Sequence, residues 1–207
     1  MKTILLALSL LAPVAAPAAF QVHVTGHGRP MILIPGLSSG AETWDSTVDH
    51  FKDRYECHVL TVAGFAGVPP VSSSSPMLDF IVDDLAKYIR DQRLEKPVIV
   101  GHSLGGYLAL KFAIAYPDLT GSIVDIDGYA DYLTLTGAGS TPEQAKAIGE
   151  GIKKNMREMT RSAYEAYVTG GAATRFMVTR DADFHTLVKW GLASDPTSVG
   201  EIGRAHV

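Results

Sequence analysis

The chain has 207 residues, of which 46% are hydrophobic and 19% charged, with a formal net charge of −4. That length suits one domain with a sizeable core rather than two, and the composition excludes a disordered chain. The acidic balance leaves no basic footprint, so nucleic acid is not an expected partner.

The first stretch, MKTILLALSLLAPVAAPAAF, places Lys2 before an apolar run over residues 4–11 and then Ala16-Pro17-Ala18. This has the form of a secretory signal peptide over residues 1–18, which implies a periplasmic or secreted protein. The run is too short to span a bilayer. No second long apolar segment follows residue 19, so no stable membrane anchor is expected. The single cysteine, Cys57, rules out an intramolecular disulfide and reads as a small core residue.

FQVHVTGHG alternates weakly and predicts a short strand; RPMILIPG is a compact apolar run ended by Pro-Gly, which fits a buried strand. Residues 41–53 read as a helix with Trp44, Val48 and Phe51 near one face. CHVLTVAGFAG is another apolar strand ending in a glycine loop, and PVSSSSP is a polar connection. The next helix has Ser75 as its cap, Pro76 at the first helical position and Asp79 in the first turn. Met77, Phe80, Ile81, Leu85, Tyr88 and Ile89 then recur at helical spacing. VIVG is a third buried strand, residues 104–116 a helix stopped by Pro117, and GSIVDIDG a fourth strand. Strands alternating with helices predict an α/β fold with a mostly parallel sheet and helices on both faces. After Gly128 the character changes to helical stretches: TPEQAKAIGEGIKKNMREM, SAYEAYV and DFHTLVKWGLA, entered through LTGAGSTP.

The densest signal is VIVGHSLGGYLAL, where Gly101, Ser103 and Gly105 form G-x-S-x-G between a strand and a helix. A serine on so sharp a turn projects above the sheet. Side chains at Gly101 and Gly105 would collide with neighbouring elements, and Gly106 lets the helix press on the sheet. The Leu104 amide falls at a helix N-terminus, where donors are unpaired and the dipole favours negative charge. Leu37, after Pro35-Gly36, is the candidate second donor of an oxyanion hole.

These residues resemble the α/β-hydrolase superfamily, and within it the capped branch of serine esterases, lactonases, aminopeptidases and C–C bond hydrolases. The matching stretches are LIPGLSSGAETWD, VAGFAG, VGHSLGGYLAL and IVDIDG, within residues 20–195. Many relatives have His-Gly where this chain has Pro35-Gly36, and an acidic residue where it has Ala63. Ser103 argues against the dehalogenases and epoxide hydrolases, which use an aspartate nucleophile. The resemblance implies a core over residues 19–128, a helical cap over 129–200, and Ser103 as nucleophile acting on a small-molecule acyl substrate. No metal or organic cofactor is needed for that chemistry. The oligomeric state stays open.

The resemblance also implies a triad in the order serine, acid, histidine, with the last two after the cap. The final strands and both partners are therefore expected to be missing from this chain. Asp127, at the end of the fourth strand, is the candidate acid within it, since a minority of relatives place theirs there. His185 reads as a cap or surface histidine, His102 as lining the core or the oxyanion loop and pointing away from the groove, and His27 as a turn residue. The terminal EIGRAHV lacks apolar periodicity. Its back-translation reproduces a common sequencing-adapter oligonucleotide, so residues 201–207 are expected to be a non-native tail and His206 is not considered catalytic.

Tyr129, Tyr132, Met156, Met159, Tyr164, Tyr167, Phe176 and Trp190 are the candidates to roof an apolar pocket or to pack the cap on the core. An aminopeptidase would need acidic residues that hold the substrate amine, for which Glu150, Glu158 and Glu165 are available. A non-catalytic small-molecule-binding protein on the same fold is the other alternative, although a binder has little use for a strained serine turn.

Overall fold

The computed structural model describes residues 18–129, 141–170, 175 and 178–204. Residues 1–17 of the stretch read as a signal peptide, most of the LTGAGSTP hinge, Tyr132, Phe176 and His206 lie outside the described residues.

Five strands form one sheet: β1 (Phe20–Gly26), β2 (Arg29–Ile34), β3 (Tyr55–Val62), β4 (Val98–His102) and β5 (Ile123–Ile126), in the order β1-β3-β2-β4-β5. β2, β3, β4 and β5 run parallel, while β1 pairs antiparallel with β3. β2, β3 and β4 are mostly buried apolar runs, as parallel strands covered on both faces require, whereas the short β5 carries Asp125 and is largely exposed. β1 lies at the edge and alternates, with Val24 46% exposed.

Helices cover both faces. On one, α2 (Met77–Asp91) and α3 (Leu104–Ala115) bury Ile81, Leu85, Leu108 and Phe112 against Ile32, Ile34 and Ile99. On the other, a 3₁₀ turn (Ala41–Trp44) and α1 (Asp45–Phe51) carry Trp44, Val48 and Phe51 onto Leu33, Cys57 and Val100. Cys57 is a fully buried core residue, and burial pushes its thiol pKa up.

Two local expectations differ. Ser75 does not cap α2: Pro76 takes the N-cap place with φ −51° and ψ 137°, and no side chain caps the helix. Proline's fixed φ suits the entry equally well, and the Ser75 hydroxyl pairs with that of Ser73 at 3.0 Å. The helical pattern also continues past Gly200.

Beyond the hinge come α4 (Pro142–Glu158), α5 (Arg161–Gly170), α6 (Asp181–Ala193) and α7 (Pro196–Arg204). Thr141 caps α4, its hydroxyl oxygen accepting the Gln144 amide at 3.3 Å. Asp195 caps α7 by accepting the Ser198 amide and hydroxyl at 2.7 and 2.8 Å. Val199 and Ile202, three residues apart on one face of α7, are buried in the same core as Leu78 and Leu104. Ile202, Ala205 and Val207 are the apolar residues of the last seven, too few to show a period by themselves.

The α6–α7 junction is tied to the loop after β3. The Asp195 amide donates to Gly64 O at 2.8 Å, the Gly67 amide to Ala193 O at 3.1 Å, and the Ala66 amide to the buried Ser194 hydroxyl at 3.0 Å. These bonds fix where the helical layer sits over the C-terminal ends of the strands.

Candidate active site

The register brings Ile34 opposite Gly101 and His102 opposite Ile126. The C-terminal ends of β2, β4 and β5 therefore meet at the turn between β4 and α3, the edge of a parallel sheet where ligands bind in such folds. Ser103 occupies that turn with φ 54° and ψ −118°. Its amide donates to Ile126 O at 2.8 Å, and its carbonyl accepts the Tyr107 amide at 3.1 Å. Both ends of the bend are thus held by main-chain bonds, while the side chain takes no part in capping α3.

The glycines are required by close approach. A Cβ on Gly101 would lie 2.0 Å from Gly105 O, and one on Gly105 would lie 2.1 Å from Ile34 O. On Gly106 it would lie 2.0 Å from an Asp125 carboxylate oxygen. No real Cβ makes such contacts: at Gly101 and Gly105 the obstacle is backbone, so a larger residue would push α3 off the sheet, whereas at Gly106 the Asp125 carboxylate would have to move.

Ser103 opens into a cavity of about 260 Å³. Its floor is the loop after β2: Leu37, Ser38 and Ser39 face it together with Gly36 and His102. Ser38 has φ 58°, the Ser39 amide donates to Gly36 O at 3.2 Å, and the Ser39 hydroxyl donates to Leu37 O at 3.3 Å. This tight turn carries Leu37, 40% exposed, to the same cavity as Ser103. Leu104 is fully buried as the first residue of α3, a place whose N–H has no acceptor within the helix.

The roof comes from the helical layer. Tyr164, Tyr167 and Val168 project from one face of α5, Leu187 and Gly191 from one face of α6, and Val199 from α7. Spacings of three and four put each group on one side of its helix. The Tyr164 hydroxyl donates to Gly191 O at 3.0 Å, joining the two roof helices. Trp190 is buried at the loop below, where a Cβ on Gly40 would lie 3.0 Å from its indole nitrogen.

Of the candidates read from the sequence, Ser103, Leu37, Tyr164 and Tyr167 line the cavity, and Leu104 adjoins Ser103. His102 packs on the floor loop, its Nδ1 3.2 Å from where a Gly36 Cβ would be. It also borders the cavity, which the sequence reading did not expect, and its Nδ1 is buried without a partner among the described residues. Asp127 has φ 53°, is exposed on the turn after β5, and does not line the cavity. His185 is exposed on α6, and His27 lies on the turn between β1 and β2. Met156 and Trp190 are buried as packing residues. Glu158 and Glu165 are exposed, Glu165 pairing with Arg161 at 2.8 Å; Glu150 is exposed too, and none of the three lines the cavity. The sequence reading missed Ser38, Ser39, Val168, Leu187 and Val199. Val168 was open to inference, because it lies four residues after Tyr164 in a helical stretch.

The profile of the alpha/beta hydrolase family matches residues 31–204. An abhydrolase domain-containing protein, abhd-5.2, of Caenorhabditis elegans is 30% identical over 101 residues, 47% of this chain and 23% of the worm protein. The (E)-2-((N-methylformamido)methylene)succinate hydrolase of Acinetobacter baylyi is 26% identical over 103 residues, 50% of this chain and 39% of that enzyme. Among solved structures, a thermophilic esterase from Thermogutta terrifontis superposes with a TM-score of 0.67 at 22% identity, covering 90% of this chain and 66% of the esterase. The aligned chain thus spans less than half the length of these two curated relatives. The strand order, the serine turn and the profile match agree: the chain belongs to the alpha/beta hydrolase family.

Proposed function

We propose that the protein is a serine hydrolase acting on an ester, lactone or related acyl substrate. Ser103 Oγ attacks the acyl carbonyl while its proton passes to a histidine base. The Leu37 and Leu104 amides hold the resulting oxyanion. The tetrahedral intermediate collapses, the leaving group departs with the proton, and water then frees the acyl group from Ser103 by the same steps in reverse order. The observation that carries this reading is the left-handed conformation of Ser103 at the mouth of a cavity. A non-glycine residue held there costs about 1–3 kcal/mol, which a purely binding role does not require. The absence of Glu150, Glu158 and Glu165 from the cavity lining weighs against the aminopeptidase alternative.

The histidine and its acid partner are proposed to come from chain beyond the cap, so that the 207-residue polypeptide alone is inactive. Among the described residues the one histidine lining the cavity is His102, whose ring packs against Gly36. Asp127, by its place after β5, remains the candidate acid within the described residues. The outer edge of the sheet supports further chain: β5 is last in the strand order and pairs with β4 alone among the described residues, which leaves its other edge open to a neighbour.

Turnover of p-nitrophenyl acetate and butyrate tests the proposal in three proteins: the 207-residue chain, the product of the complete open reading frame, and its Ser103→Ala variant. The complete protein should hydrolyse both esters, and Ser103→Ala should lower the rate by about 10³-fold or more. Binding without hydrolysis in the complete protein would overturn the proposal. Rapid turnover by the 207-residue chain would overturn the external base.

A further inference from the structure

The cavity that holds Ser103 is divided by polarity. Its floor offers the Ser38, Ser39 and Ser103 hydroxyls and the His102 ring, whereas its roof is built of Tyr164, Tyr167, Val168, Leu187 and Val199. No Asp, Glu, Lys or Arg lines it among the described residues. A carboxylate entering the roof would lose its water without gaining a cation or a set of donors, and buried charges need such partners.

A cation is disfavoured for a different reason. Tyrosine rings can hold ammonium groups over their faces, but the guanidinium of Arg161 already lies over the Tyr164 ring, 5.8 Å from its centre. The Tyr164 hydroxyl spends its one hydrogen on Gly191 O at 3.0 Å. Burial pushes that phenol's pKa up, so it carries no charge to balance an ammonium. Apart from the Tyr167 phenol at its exposed edge, the roof therefore presents hydrocarbon and ring carbon. Gly191 sets its height, because a Cβ there would lie 2.8 Å from a Val168 methyl.

Size follows from volume. A cavity of about 260 Å³ suits a small molecule rather than a long chain. Resting on the serine-hydrolase reading above, we propose that this cavity selects a small, neutral, apolar ester or amide over dicarboxylate half-esters and amine-bearing substrates. The floor takes the carbonyl, and the roof takes an uncharged alkyl or aryl group. The succinate-derived substrate in the name of the Acinetobacter relative belongs to the class this roof rejects.

The test uses the Ser103→Ala form of the complete protein, so that the whole cavity is present and binding is read without turnover. Three esters of similar size are titrated by calorimetry and checked by saturation-transfer NMR: methyl hexanoate, monomethyl glutarate and methyl 4-aminobutanoate. Methyl hexanoate should bind at least about tenfold more tightly than either charged ester at pH 7. Leu187→Trp in the same background should fill the roof and weaken methyl hexanoate. Tyr167→Lys, at a position 53% exposed where the fold tolerates change, should raise the affinity for monomethyl glutarate and so narrow or reverse the preference. Equal or tighter binding of a charged ester, no binding of methyl hexanoate up to its solubility limit, or indifference to both roof variants would overturn the selectivity. None of these outcomes depends on catalysis. Hydrolysis of p-nitrophenyl esters by the complete protein would leave the serine mechanism standing even if the selectivity failed.

Discussion

Replacing Ser103 by glycine should make the protein more stable while removing its reactive group. Ser103 sits at φ 54° and ψ −118°, a region glycine enters freely and residues with a Cβ enter under strain. Releasing such strain is worth about 1–3 kcal/mol, and the greater freedom of glycine in the unfolded chain returns ~0.5–1 kcal/mol of that. The serine side chain caps nothing in α3, so its loss removes little else. The net gain lies between ~0 and ~2.5 kcal/mol, about 1 kcal/mol at the middle, with roughly 2–4 °C in Tm per kcal/mol for a chain of this size. Ser103→Ala is the control: it removes the hydroxyl, keeps the Cβ and the strain, and should stay within ~0.5 kcal/mol of the parent. Urea unfolding measures all three proteins, with the shift read from the midpoint at constant m. If Ser103→Gly is no more stable than Ser103→Ala, the bend is not strained, and the argument from strain to function fails.

Leu85→Ala, at a side chain 1% exposed in the main core, should cost about 2–5 kcal/mol by urea unfolding. A loss under ~1 kcal/mol would mean that the site collapses around the gap. Gly105→Ala should prevent stable folding or shift α3, because its Cβ would meet the Ile34 carbonyl oxygen at 2.1 Å; a native circular dichroism spectrum with unchanged stability would contradict this. His58 is 3% exposed and bonds the Tyr88 hydroxyl through Nδ1 at 2.7 Å. Burial holds its pKa below the ordinary 6.5, and the nearby Glu56 carboxylate only partly opposes this. The unfolded chain then binds the proton more readily, so stability is complete above about pH 6.5 and falls as pH drops below it. His58→Gln should flatten that part of the stability profile between pH 7 and 5. An unchanged slope would assign the effect to other groups.

The parts of the fold that the sequence made legible are those where local chemistry and tertiary structure agree. Apolar β-branched runs became the parallel strands, and Trp44, Val48 and Phe51 share one face and one core as their spacing implied. The serine turn was readable because three glycines have one physical explanation between a strand and a helix. The helical roof was harder. Its residues come from α5, α6 and α7, and only docking through Ser194 and Asp195 shows which sides face the cavity. The antiparallel direction of β1 depends on a turn that carries the chain past β3, and no single residue announces it. The Ser75 cap failed because the Ser75 hydroxyl and amide both engage the Ser73 hydroxyl, and the helix starts one residue later, with Pro76 in the N-cap place.

The central claim is that the Ser103 hydroxyl is the atom that becomes acylated. The direct measurement is covalent capture: the complete protein is treated with an alkyl p-nitrophenyl phosphonate, its intact mass is recorded, and the modified peptide is mapped. The account predicts one adduct per chain, on Ser103, with none on Ser103→Ala. An unmodified Ser103 in a folded protein that still hydrolyses esters would contradict it.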